Sequence, residues 1–452
     1  MSAAASEDLA AVRERMRAEG VRFVQIEVPE LDGGLRCKLL ALDKGLSDGI
    51  GWSNIIYGLT TADDVYESPF SSYENGFADV YGKPDTDTVR RLSWRQDTVA
   101  ALIDVHDPDG TMTPEGPRTM LRCAVDKADA MGFQPRFAVE YEVAIYYADD
   151  EASPPSPATL TPVSRTRNAY SLVRMPGLRA LFETFMQRME EVGTPVVSMH
   201  TELGRGAVEF ALAHAPPLSA ADSAMRAKAY LKELCAERGL VVTFMAKVDA
   251  DMPGSGGHVH QSLWRDGENV FWDGTGPSET ARQYAAGQLE HLPALTALFM
   301  ANINSYRRRD WQHWVPLNAS WGDDNRSAAL RLITRPVPHG ARFENRVPGA
   351  DSNAYLAIGG MLAAGLDGIE RGLVPPPLCS GNAALDESYA KLPASLADAV
   401  EVFEGSAFLR NVFGDRFVDH YVLSRRTELD LWRAWQRSHV SAWEYERYFE
   451  TI

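Results

Sequence analysis

From Phe137 to Ile145 every odd position is apolar: Phe137, Val139, Tyr141, Val143 and Ile145. A period of two puts these side chains on one face of a β-strand, against a core, and does not fit a helical stripe. The opposite face then carries Glu140 and Glu142 together, about 7 Å apart. Carboxylates that close repel one another unless the face is solvated or a cation or guanidinium lies between them. This segment therefore calls for a sheet with one apolar face and one acidic face.

A second segment suits the same sheet. Gly254-Ser255-Gly256-Gly257-His258-Val259-His260-Gln261-Ser262 follows the apolar run Val241–Lys247 and a short Asp/Pro/Gly break. Its glycines let the backbone approach a ligand closely. In a strand, His258 and His260 share a face. Glu202 and Glu209 bracket Gly204-Arg205-Gly206, and Phe343–Val347 alternates so that Glu344 and Arg346 face together. Carboxylates with one imidazole form a hard ligand set, suited to Mg²⁺ or Mn²⁺ rather than Zn²⁺. Arg307, Arg308, Arg309, Arg326 and Arg331 add guanidinium forks that match phosphate and carboxylate. Each piece alone is more often structural; together they point to metal-assisted phosphoryl chemistry.

A net charge of −17 argues against a nucleic-acid partner, which needs a basic footprint, but not against a local arginine cluster on an anionic substrate. Cys37, Cys123, Cys235 and Cys379 are scattered, with no CxxC pair, and read as buried reduced thiols of a cytoplasmic protein. The first residues, MSAAASEDLAAVRERMRAEG, read as a short amphipathic helix without a signal-peptide pattern. No apolar run of about 18 residues predicts a membrane span.

Residues 21–110 read as β-rich: Val21–Val28 alternates, Leu31–Leu35 turns and Arg36–Leu40 returns. Residues 48–95 lack periodicity and read as a long functional loop. Asp107–Gly110 and Pro114–Pro117 mark a boundary, giving domains over 1–112 and 113–452, and Pro117 suits the start of a helix over 118–131. Ala152–Pro162 is a Pro/Ser-rich excursion. Helices are predicted at 177–192, 218–238, 278–300, 352–371 and 426–449. Strands are predicted at 136–147, 207–213, 240–247, 257–263, 327–333 and 342–347. The two types do not alternate strictly, so the fold class is α+β with a largely antiparallel sheet.

These segments together resemble the glutamine synthetase superfamily over nearly the whole chain. Its paired-Glu strand is similar to Glu140 and Glu142, and its His-x-Glu…Glu segment to Glu202 and Glu209. Its Gly-Ser-Gly-x-His-x-His-x-Ser segment is matched at 254–262. Its Asn-Ser-Tyr-Lys-Arg segment is similar to Asn304–Arg308, its Asn-Arg-Ser-Ala to Asn325–Ala328, and its Glu-x-Arg to Glu344–Arg346. The resemblance implies a small N-terminal β-grasp domain and a larger catalytic domain on a curved antiparallel sheet. It also implies two stacked hexameric rings with each site shared between subunits. The implied reaction uses ATP and Mg²⁺ or Mn²⁺ to make γ-glutamyl phosphate, which an amine then attacks. By resemblance, Glu142, Glu202 and Glu209 hold one metal, and Glu140, His258 and Glu344 the other. Arg326, Arg331 and Arg346 clamp phosphates, Arg308 and Gly254 hold glutamate together with Arg346, and His260 and Ser262 lie near ATP.

The departures select the nucleophile. Ammonia-using members carry a flap Glu where this chain has Trp314, and an N-terminal Asp where the nearest residues here are Trp52 and Asn54. Arg205-Gly206-Ala207 replaces the family's Pro-Gly-Gln, and Pro253 replaces an Asn that contacts glutamate. Arg342–Asp351 looks like the γ-glutamylpolyamine and related γ-glutamyl amide synthetases. The expected substrates are therefore glutamate and an organic amine, with Trp52 and Trp314 as apolar walls for a monoamine and Asp63 or Asp64 as candidate bases. A polyamine ligase, an ammonia-dependent glutamine synthetase using Asp310, Asp323 or Asp324, and a non-catalytic nucleotide- or amine-binding relative stand as alternatives.

Overall fold

The computed structural model describes residues 7–148, 159–335 and 340–451. Its N-terminal strands are β1 (Phe23–Pro29), β2 (Leu35–Ala41), β3 (Ile50–Ser53), β4 (Asp79–Pro84), β5 (Arg90–Arg91) and β6 (Thr98–His106). They form a sheet ordered β2-β1-β6-β4-β3, with β5 paired to β6. β1 and β2 make the expected hairpin, Val28 opposite Arg36, and β1 runs parallel to β6. Helices α1 (Leu9–Ala18) and α2 (Leu42–Gly45) precede and follow this hairpin. Val12, Val24, Ile26, Ile50, Trp52 and Ile103 lie in one core.

The stretch 48–95 is not the long loop expected from its composition, since it contains β3, β4 and β5. In β4 the inward positions are Val80, Gly82 and Pro84. Glycine and proline carry almost no hydropathy signal, so the period of two is hidden there.

The larger sheet contains β7 (Gln134–Tyr147), β8 (Thr161–Pro162), β9 (Val196–Thr201), β10 (Ala207–Leu212), β11 (Leu240–Thr243), β12 (Gly257–Arg265), β13 (Glu268–Asn269), β14 (Trp321–Asp323), β15 (Leu330–Ile333) and β16 (Arg342–Asn345). Its main path runs β14-β15-β16-β12-β7-β10-β9. Pairing along the path is antiparallel except between β14 and β15. The architecture is α+β, as expected. Of the Pro/Ser-rich excursion, residues 152–158 lie outside the described residues, and Thr161–Pro162 pairs with the end of β7.

Helices α3 (Pro117–Ala130), α4 (Met175–Glu191), α5 (Pro217–Ala236), α6 (Glu279–Phe299), α7 (Ala354–Glu370) and α8 (Leu396–Glu404) surround the sheet. Phe137, Val139, Tyr141, Val143 and Ile145 are buried in a core shared with α3 to α8. α6 and α7 cross at glycines. A Cβ at Gly287 would stand 2.1 Å from the Ala364 carbonyl oxygen.

The C-terminal helix starts earlier than expected. α9 (Ala407–Ser438) turns at Gly414 (φ 80°, ψ 155°) and is followed by α10 (Ala442–Tyr448). Buried His420 and Arg425 interrupt its apolar stripe, and Arg425 is ion-paired with Asp32. The cysteine expectation is corrected in part: all four are free, but only Cys235 and Cys379 are buried, while Cys37 and Cys123 are exposed. Among the described residues no helix is long and apolar enough to cross a membrane.

Candidate functional site

The polar face of the larger sheet is assembled by strand register. On β7, Glu140 stands opposite His258 of β12, and Glu142 opposite Glu209 of β10. Glu209 is in turn opposite His200 of β9. On the other side His260 faces Glu344 of β16, and Glu344 faces Arg331 of β15. Residues two apart on one strand share a face, so these pairs form one continuous polar surface.

His258 Nδ1 lies 3.2 Å from Glu140 Oε1 and 3.5 Å from Glu344 Oε1. His260 Nε2 is 3.8 Å from the other Glu140 oxygen. Glu142 Oε2 accepts the Gly256 backbone N–H at 2.6 Å. Two groups bring their ligand atoms within 4.8 Å of one another: Glu140, His260 and Glu344, and His200, Glu202 and Glu209. His200 is not among the site residues expected from the sequence. Its His-x-Glu spacing to Glu202 is the available signal, and its ring stacks on Tyr170 at 4.5 Å.

The charges are unequal. Burial pushes Glu209 up to about 9, reinforced by Glu140, Glu142, Glu202 and Glu344. Burial works the same way on Glu140, but hydrogen bonds from His258 and His260 outweigh it and hold that carboxyl below the usual range. At Glu344 burial is overcome by Arg346, His258 and His260, which bring it to about 2. Arg331 Nη1 donates to Glu344 Oε2 at 2.9 Å, and Arg346 bonds the other oxygen. A cluster of carboxylates this crowded, with imidazoles at hand, has the donor chemistry of a divalent-cation site.

These residues line a cavity of about 400 Å³ that also includes Gly254, His313, Trp314, Arg326, Arg331 and Arg346. Glu140 and His260 form part of its wall and also of a second cleft of about 650 Å³, which contains Ser262 and Arg342. Ser262 Oγ accepts the Trp264 indole N–H at 2.9 Å. Arg342 Nε donates to His260 Nδ1 at 3.3 Å.

Three expected residues stand elsewhere. Arg308 is 2 % exposed and does not line the cavity. Its fork is spent on the carbonyls of Val347 and Arg346, both at 2.9 Å. It therefore braces the cavity wall from behind rather than facing a ligand within this subunit. Trp52 is buried in the N-terminal core with Lys38 Nζ 4.3 Å from its ring centre, so within this subunit it forms no wall beside Trp314. Asn54 is buried too and donates to the Phe70 carbonyl. By contrast Trp314 is 49 % exposed at the cavity, in the left-handed region at φ 57°.

The family model described as glutamine synthetase, catalytic domain, matches residues 114–448. The chain belongs to the glutamine synthetase family. Within that family it is 32 % identical to a glutamate–isopropylamine ligase of a Pseudomonas species, over 98 % of both chains. It is 34 % identical to a γ-glutamylethanolamide synthetase of Streptomyces coelicolor, over 96 % of this chain and 94 % of the relative. A solved GmaS–ADP complex superposes with a TM-score of 0.83 at 26 % identity, covering 97 % of this chain and 99 % of the other. Glutamine synthetase family geometry thus accounts for the sheet, the acidic face and the histidine strand together.

Proposed function

We propose that this protein is an ATP-dependent ligase that joins the γ-carboxylate of glutamate to a primary organic monoamine through γ-glutamyl phosphate. The observation that carries this is Trp314. It lines the cavity beside a full set of acidic and imidazole ligands, at the position where the resemblance places the flap Glu of ammonia users. An indole offers an apolar wall and a π-face, and no carboxylate to pair with ammonium. The relatives named for isopropylamine and ethanolamide support a small amine.

In this reading Glu142, Glu202 and Glu209 would hold one divalent ion, and Glu140, His258 and Glu344 the other. Bound there, Mg²⁺ or Mn²⁺ would neutralise phosphate charge during transfer. His260, Ser262 and Arg342 line the cleft that would take the nucleotide. Arg326, Arg331 and Arg346 line the reaction cavity. Arg331 and Arg346 are held at the cavity wall by Glu344, where they would meet phosphoryl or carboxylate oxygens. Gly254 and Arg346 would seat glutamate, with Arg308 fixing the backbone of Arg346 from behind. The same reading carries a domain boundary at 112/113, a cytoplasmic site of action and stacked hexameric rings.

Ammonia as the nucleophile is disfavoured by how the nearby acids are used. Asp310 is paired with His313 at 2.7 Å, and Asp324 with Arg331 Nε at 2.8 Å. The deciding experiment is phosphate release from ATP with glutamate, Mg²⁺ or Mn²⁺ and a panel of amines. Turnover is expected with small primary amines and little with ammonium. Equal turnover on ammonium overturns the reading.

A further inference from the structure

An aliphatic amine with a pKa near that of lysine, about 10, is unprotonated in only about one molecule in a thousand at pH 7. Only the free amine has the lone pair that attacks an acyl phosphate. A ligase of the kind proposed above therefore requires a proton acceptor near the nucleophile, and the assignment of that acceptor rests on the ligase reading. Neither acid suggested by the sequence serves within this subunit. Asp63 is bound to Arg36 Nη2 at 2.6 Å, Asp64 accepts from Thr60 Oγ1 at 3.3 Å, and neither lines the cavity.

The cavity's own side chains narrow the choice. Its arginines do not accept protons at accessible pH. In the ligase reading its glutamates and His258 are taken up as metal ligands, and His258 and His260 both face Glu140. His313 stands apart from these residues. It lines the cavity next to Trp314, on the segment that replaces the family's flap acid. Its Nδ1 lies 2.7 Å from Asp310 Oδ2, while its Nε2 has no hydrogen-bond partner among the described residues. A carboxylate that holds Nδ1–H leaves the lone pair on Nε2 and stabilises the imidazolium once that atom is protonated.

We propose that His313, oriented by Asp310, is the general base that deprotonates the incoming ammonium group. The lone pair of Nε2 takes one proton from R–NH₃⁺, leaving R–NH₂. The amine nitrogen then bonds to the γ-carbonyl carbon, and the carbon–oxygen bond to phosphate breaks. The second nitrogen proton leaves with the departing phosphate, and His313 returns its proton to solvent. Two protons leave the ammonium, one amide bond forms and one acyl-phosphate bond is lost. The charged groups around His313 are Asp310 on its own segment, Lys247, whose charge acts on Asp310, and the arginines and glutamates of the cavity. Asp310 is kept ionised: burial raises its pKa, but the bond with His313 and the Gln312 backbone N–H lower it further. In this scheme Asp310 is a positioning residue.

The test compares two nucleophiles on wild type, His313→Gln and Asp310→Asn. One is a small alkylamine. The other is hydroxylamine, whose nitrogen is largely unprotonated near neutrality and needs no base. With His313→Gln the alkylamide rate at pH 7 is expected to fall by about 10²- to 10⁴-fold. Hydroxamate formation should be little changed, which also shows that the variant is folded and makes the acyl phosphate. Raising the pH should restore alkylamide formation in the variant in proportion to free amine, more steeply than in wild type. Asp310→Asn should lose alkylamide rate in the same selective way. Unchanged alkylamide formation by His313→Gln, or equal losses with both nucleophiles, overturns the assignment and leaves the ligase reading standing. Wild type that forms no alkylamide at all overturns both.

Discussion

Glu142 and Glu209 stand directly opposite each other across the β7–β10 ladder. Like charges in that position destabilise a sheet, and here they lie on a half-buried face with Glu140, Glu202 and Glu344 acting on the same carboxyl. A divalent cation bound there would relieve this repulsion. Mg²⁺ or Mn²⁺ at about a hundred times its Kd should therefore stabilise the chain by about 2.7 kcal/mol. Glu209→Gln removes one ligand oxygen and should reduce the rise in melting temperature with added ion, leaving the part owed to Glu140, His258 and Glu344. Differential scanning calorimetry with and without chelator checks this; an ion-dependent rise as large in Glu209→Gln as in wild type contradicts this account.

His420 sets a pH dependence remote from the reaction cavity. Burial lowers its pKa from 6.5 to about 4, while its Nε2 donates to the Tyr57 carbonyl at 2.7 Å. The folded chain keeps the ring neutral and the unfolded chain protonates it first. This stability is present above pH 6.5 and is lost as the pH falls from 6.5 towards 4, by about 3 kcal/mol for a shift of this size. Melting curves of wild type and His420→Gln over that window should show the wild type losing more on acidification.

Trp314 combines exposure with a left-handed backbone. Trp314→Gly relieves the left-handed conformation but loses the packing of the buried half of the indole, so the two effects oppose and the melting temperature should change little. If the indole contacts the amine, KM for an alkylamine should rise about tenfold, equivalent to about 1.4 kcal/mol, with KM for glutamate unchanged. Steady-state kinetics separate the two; an unchanged amine KM removes Trp314 from the amine pocket.

Gly254 is needed for packing as much as for access. A Cβ there would sit 2.2 Å from Arg308 Cγ and 2.9 Å from the Ala246 carbonyl oxygen. Gly254→Ala should destabilise the protein by about 1–3 kcal/mol and raise KM for glutamate, because Arg308 braces the Arg346 backbone. Denaturant titration and glutamate kinetics read the two effects.

The local pattern is legible in particular residues. The odd-numbered apolar positions from Phe137 to Ile145 and the turn at Leu31–Leu35 specify strands because side-chain alternation is a local property. Gly82 and Pro84 conceal β4 because inward-facing positions can be filled without hydropathy. His313 gives no signal in the sequence, because its partner Asp310 and its place at the cavity become informative only when the flap is folded over the acidic sheet.

The sequence by itself determined the chemical inventory: the acids, the two histidines of one strand, the arginines, and a tryptophan where relatives carry an acid. Tertiary structure alone decided how that inventory is used. Register put Glu142 against Glu209 and His260 against Glu344, while packing sealed Arg308 behind the wall and Trp52 in the N-terminal core. The reason is that strand register and burial depend on pairings between segments far apart in the chain, as between β7 and the β12–β16 half of the sheet. No local period encodes those pairings.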